Sequence, residues 1–233
     1  MAKFAFALPV LPGKDAHSPA AYCRENKDAH KASRKRAGIT MERVYLMRSP
    51  MGSFAVAYIE STGDFATTFG SFTKGDPFDK GFIDRLQDVH GIDLSKPPPQ
   101  SPEVVGDWSD PSVKERRAGL AFSAPLKPGK VEAGRAFAKA AFETRRDEMT
   151  DSRRALGQNR EVVCINYTPN GEIVSVYLEG RDPAAGNRGF AASQSTFDKW
   201  FKAECRKIFI DGIDFDQPLP PIEQIWDWQA EKS

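Results

Sequence analysis

The chain has 233 residues, 40% hydrophobic and 28% charged, the balance of an ordinary globular protein of one or two domains. Its 33 basic and 32 acidic side chains leave a net charge of +1, which argues against nucleic-acid or anionic-membrane partners, and no apolar run approaches the ~18 residues that span a bilayer. Three irregularly spaced cysteines (Cys23, Cys164, Cys205) with no Cys-x-x-Cys pair argue against a disulfide framework or zinc site and fit a reducing cytoplasm.

The first predicted element is an apolar strand, Phe4 to Val10, closed by a Pro-Gly-Lys turn at 12–14. A helix follows, with Ser18 as its cap and Pro19 at its first position. Its basic run Arg34-Lys35-Arg36 reads as a solvated face. Two strands come next, joined at "SPMG" (49–52). In the second, Ala55, Ala57 and Ile59 face one way, and Phe54, Val56, Tyr58 and Glu60 the other. A second helix starts at "DPFD" with a capping acid and carries the stripe Phe78, Phe82, Leu86 and Val89. After "GIDL" (91–94) and a proline cluster, a short strand "EVVGDW" (103–108) ends the run.

The same order then recurs. "ERVYLMRSPMGSFAVAYIE" (42–60) is answered 119 positions on by "EVVCINYTPNGEIVSVYLE" (161–179), with six of nineteen residues identical; average composition predicts about one. "FALPVLPGK" (6–14) is answered by "FSAPLKPGK" (122–130), and the second tail is "EQIWDW" (223–228). The apolar start of the chain is therefore read as a strand and not as a leader, since its counterpart lies in mid-chain. Residues 1–108 form repeat one, 109–118 a polar linker and 119–233 repeat two.

Each repeat reads β-α-β-β-α-β, the ferredoxin-like unit: a four-stranded antiparallel sheet with helices on one face. Both strand faces are apolar, so the two sheets should pack on each other. The expected fold class is α+β, two tandem ferredoxin-like units closed into an intramolecular pseudo-dimeric barrel. On element order, hairpin motif and repetition, the chain resembles the dimeric α+β barrel superfamily in a tandem-duplicated, single-chain form. It also resembles a bacterial group of uncharacterised proteins with similar "TP-G…YLE…DPFD" wording. The superfamily resemblance implies a ligand pocket between sheet and helices. It also implies reaction classes that include cofactor-independent monooxygenases, isomerases and cyclases, alongside haem-binding and non-catalytic members; fold does not choose among them.

Comparing the repeats locates candidate chemistry. Where repeat two has Arg145, Met149 and Ser152 on its first helix, repeat one has Asn26, His30 and Ser33, with Tyr22 one turn earlier. A helix that turns these groups inward must pair them or leave room for a ligand. His30 is a candidate acid/base in a repeat-one pocket, or alternatively a haem ligand, or a core histidine with a local partner. Tyr22, Asn26, Ser33 and Tyr58 would position the substrate, with Tyr58 and Glu60 also able to move a proton. Tyr58 reads equally as a favoured strand residue. His17 lies at the expected pocket mouth, and Lys14 could hold an anionic group or serve as a turn lysine. Arg34 and Arg153 are expected to pair weakly at the surface with Glu42 and Glu161. The functional expectation is a monomeric, cofactor-free protein for a small apolar or aromatic molecule. A dry, filled interior in both repeats would instead favour a non-catalytic module.

Overall fold

The computed structural model describes residues 1–73, 75–93 and 100–230. Its first half runs β1 (Ala2–Val10), α1 (Ser18–Glu25), α2 (Lys27–Arg36), β2 (Ile39–Ser49), β3 (Gly52–Ser61), α3 (Phe65–Thr73), α4 (Pro77–His90) and β4 (Glu103–Ser109). The second half repeats the order: β5 (Ala118–Pro125), α5 (Val131–Lys139), a π-helical turn (Ala140–Thr144), α6 (Arg146–Ala155), β6 (Gln158–Thr168), β7 (Gly171–Gly180), α7 (Pro183–Ala192), α8 (Thr196–Ile208) and β8 (Ile222–Gln229). Leu94 of the "GIDL" motif and the prolines at 97–99 lie outside the described residues.

The hairpins form where the Pro-x-Gly motifs place them. Ser49 pairs with Gly52 and Thr168 with Gly171, and the two glycines hold φ of 118° and 110°, a region that side-chain-bearing residues avoid. The second long helix of each half is capped as its sequence dictates. Asp76 accepts from the backbone of Phe78 and Asp79, and Ser195 from that of Asp198.

Three features differ from the sequence reading. The first helix of each half is two helices. In the first half the chain breaks at Asn26 (φ −121°, ψ 46°), whose Nδ2 donates to the carbonyl of Tyr22 at 2.9 Å. Second, each half has an additional helix, α3 or α7, before the "DPFD" start or its second-half counterpart "STFD" (195–198). The Thr-rich sequence of α3, with Gly70 at its centre, hides its phenylalanines, which recur at helical spacing.

Third, the last strands are exchanged. One sheet is ordered β1-β3-β2-β8 and the other β4-β6-β7-β5, so each tail pairs with the opposite half. Met41 to Met47 of β2 pair with the C-terminal β8, and Glu103 to Ser109 with β6. Residue alternation is the same in either arrangement, so the sequence pattern cannot distinguish the exchange from a tail that folds back on its own repeat. The exchange ties the halves together as a domain swap does between chains.

The sheets pack face to face, as expected. Their shared core holds Ala5, Met41, Tyr45, Val56 and Tyr58 from one side and Ala121, Val162, Cys164 and Tyr177 from the other. Helices cover the outer face of each sheet through separate cores. Among the described residues, no helix is long and apolar enough to cross a membrane.

Candidate functional site

The two helix–sheet layers are built on one plan. On α2, Arg34 is wholly buried and grips Glu42 of β2 with two hydrogen bonds, Nε to Oε2 at 2.9 Å and a terminal nitrogen to Oε1 at 3.0 Å. On α6, Arg153 holds Glu161 of β6 in the same way. Ser33 donates to Asp79, and Ser152 to Asp198 at 2.6 Å. These pairs are buried structural clamps, and Arg34 does not belong to the solvated face that its basic neighbours suggest. The acceptor lies on the adjacent strand, not on the helix surface. Burial opposes the Glu42 charge, but Arg34 and the hydrogen bond from His30 overcome it and hold the carboxyl at about 2.

The first half adds aromatic filling to this plan. His30 is 2% exposed, its Nε2 3.3 Å from Glu42 Oε2. Its ring packs edge-on against Trp226 and Trp228 of the exchanged strand, with centroids 5.1 and 5.2 Å away, and against Phe78. Trp226 Nε1 donates to the same carboxylate. Phe65, Phe69 and Phe72 of α3 close the rest of the layer against Phe4 and Phe6. The opening left nearby, between α1, α4 and the sheet, is a cavity of about 50 Å³. A haem plane does not fit there, and His30 is already held by Glu42 and its aromatic neighbours.

The second half is open. A cavity of about 560 Å³ lies between its sheet and its helices, within the range of small-molecule sites. Its origin is legible in α7. The sequence "PAAGNRGFAA" brings one phenylalanine, Phe190, where α3 brings three. The wall is mostly apolar, with Phe137, Phe142, Val163, Ile165, Val176 and Phe201 among its residues. Gly134 of α5 also lines it, and an added Cβ there would meet nothing nearer than 3.8 Å. At the mouth stand the β2–β3 hairpin, with Met51 47% exposed, and the loop that precedes β8.

The wall's ionisable groups are largely occupied. Arg153 and Glu161 hold each other, with the guanidinium 4.9 Å from the Phe201 ring. Asp211 pairs with Lys127, Asp214 accepts from the backbone of Asp216, and burial pushes the Cys205 thiol far up.

The residues singled out from the sequence do not converge. His30 and Ser33 lie in the packed first-half layer, where Ser33 serves Asp79. Tyr22 stacks on Phe78 at 5.1 Å under the Arg85 guanidinium, and Asn26 caps the carbonyl of Tyr22. Tyr58 is on the opposite face of its sheet, in the core between the sheets, where it donates to Glu60 Oε1 at 2.6 Å. His17 bridges Asp15 and Glu223 at the surface, and the Glu223 hydrogen bond raises its pKa. Lys14 pairs with Asp88 on the surface. The open space is in the other half, among residues that a comparison of the first helices alone does not reach.

The sequence matches no family model, and no curated protein is significantly similar to it. Solved structures do share the fold. An anthrone oxidase-like protein superposes with a TM-score of 0.57 at 10% identity, over 99% of this chain and 93% of its own. A "putative monooxygenase" from Lactobacillus acidophilus gives 0.48 at 11% identity, over 97% and 92%. Another so described, from Fusobacterium nucleatum, gives 0.44 at 9%, over 98% and 97%.

Proposed function

We propose that this protein binds a small, largely apolar ring compound in the second-half cavity, while the first half acts as scaffold. The observation that carries this reading is the contrast between the halves. The same frame, with the same Arg–Glu and Ser–Asp clamps, is filled by aromatic side chains on one side and left open for about 560 Å³ on the other. Unfilled apolar space of that size costs stability, so its retention in one half only speaks for an occupant. The layer between sheet and helices is also where the barrel fold commonly places its ligand. The name of the anthrone oxidase-like neighbour suggests fused-ring aromatics as the first class to try.

Turnover, if the occupant reacts, would draw on the occupant's own reactivity and on the cofactor-independent isomerase, cyclase or monooxygenase classes of the fold. The occupied state of the wall's charged groups favours binding and orientation over acid–base work. The two halves read as products of an internal duplication. Since the barrel is closed within one chain, the protein reads as a monomer. Three free, buried cysteines suit a reducing compartment.

The test is a fluorescence titration of 2-naphthol into the wild type, Gly134→Leu and His30→Met. Leucine at 134 extends into the cavity, so binding should weaken at least about tenfold there and hold in His30→Met. Equal binding in all three proteins, or none in the wild type, would overturn the reading.

A further inference from the structure

Residues 210–221 join α8 to β8 without a helix or strand of their own. Ile213, Phe215 and Leu219 of this segment are half-buried and line the second-half cavity, while the residues between them are exposed. Phe215 also packs on Phe209 at the end of α8, with ring centroids 5.7 Å apart. The segment is therefore a strap with an apolar underside, placed at the mouth of the cavity. Connecting segments laid over a rigid frame carry binding function more often than the elements they join.

A buried cation holds the strap down. Lys202 of α8 is 2% exposed, and its ammonium donates to the carbonyls of Ala191 and Ser193 at the end of α7, at 3.0 and 3.1 Å. Asp216 of the strap lies 2.7 Å from the same ammonium and also pairs with Arg206. A second tie is the backbone N–H of Leu219, which donates to Asn187 Oδ1 of α7 at 2.8 Å. The residue of the filled half that corresponds to Lys202 is Ile83, packed with the phenylalanines of α3. A lysine therefore replaces an aliphatic side chain in the half that is open. A buried charge needs a partner, and this one finds it on the segment at the mouth. Neither Lys202 nor Asp216 lines the cavity, so the pair acts on the strap and not on an occupant.

We propose that residues 210–221 are a lid over the second-half cavity and that the Lys202–Asp216 ion pair is its latch, so that a ligand enters and leaves when this pair is broken. The inference rests on the binding reading above and adds how the site is reached. A latch that touches no ligand slows entry and exit by the same factor and leaves the equilibrium constant unchanged. A group that shaped the site would instead change affinity, mainly through the rate of release.

The experiment measures the association and dissociation rates of 2-naphthol by stopped-flow fluorescence on the wild type, Asp216→Ala and Lys202→Ile. Both rates should rise at least about fivefold in each variant, with Kd held within about twofold. Lys202→Ile carries the residue of the first half and removes the pair from its other side, so either variant decides the matter if the other does not fold. If 2-naphthol binds, and weakens in Gly134→Leu, but both rates in the latch variants match the wild type, the lid falls and the binding reading stands. The lid falls likewise if the variants lose affinity through faster release alone, because Asp216 then shapes the site and does not gate it. If 2-naphthol does not bind the wild type, the binding reading falls and takes this inference with it.

Discussion

Tyr58 and Tyr177 lie face to face across the two sheets, their ring centroids 3.7 Å apart and their planes 3° from parallel. Each donates to the glutamate two residues on, Tyr58 to Glu60 and Tyr177 to Glu179. Arg116, from the segment that joins the halves, reaches both carboxylates, at 2.7 and 3.2 Å. The repeated Tyr-x-Glu motif thus closes the barrel. Burial and the neighbouring glutamate push the Tyr58 hydroxyl well above its ordinary range, and the ring lies in the core between the sheets, away from the second-half cavity.

Removing this contact should therefore cost stability and spare binding. Tyr58→Phe deletes a hydrogen bond to a buried carboxylate and should cost about 1.5–3 kcal/mol. Tyr58→Ala also opens the sheet–sheet core and should cost about 3–5 kcal/mol. Urea unfolding measures both, and the affinity for 2-naphthol should remain within about twofold.

Glu42 sets an acid limit. Its folded carboxyl is held at about 2 against an ordinary 4.5, because Arg34 and His30 outweigh its burial. A depressed carboxylate contributes stability that is complete above the unfolded value and is lost as pH falls through the folded one. Stability should accordingly fall between about pH 4.5 and 2. Glu42→Gln, which leaves Arg34 buried without its counter-charge, should cost about 3–5 kcal/mol near neutrality and flatten that part of the profile. Urea midpoints across the acid range check both statements.

His30 has Met149 as its counterpart in the open half, fully buried at the same place on α6. His30→Met should fold with a loss of about 1–2 kcal/mol, mostly from the missing contact to Glu42. A large loss of ligand affinity in this variant would return the site to the first half.

Gly134 lies within α5 and faces the cavity. Replacing it by Ala should raise stability by about 0.5–1 kcal/mol through helix propensity, since the new Cβ meets only ordinary contacts at 3.8–4.0 Å. Leucine should add buried apolar contact to that gain and reduce binding. A higher thermal midpoint with weaker binding is the expected signature, whereas lower stability would mean that the cavity is less open than described.

The sequence carries the frame because the frame depends on local pattern. Pro50-Met51-Gly52 fixes the hairpin, Asp76 and Ser195 start the long helices, and the alternation from Phe54 to Glu60 orients both sheet faces. The exchange of β4 and β8 is not legible, because pairing with either half satisfies the same alternation. The position of the cavity escapes for another reason. The first helices differ by polar residues, but polarity at His30 is met by Glu42 and two tryptophans that arrive through the exchanged strand. The telling contrast is of volume, α3 with three phenylalanines against α7 with one. It can be read from the two halves once α3 and α7 are recognised as equivalent helices.

Occupancy of the second-half cavity can be seen directly in a crystal of the protein soaked with 6-bromo-2-naphthol and measured at the bromine absorption edge. An anomalous peak is expected in that cavity. A peak in the layer that holds His30, or ordered protein with no peak between sheet and helices of the second half, would contradict the assignment.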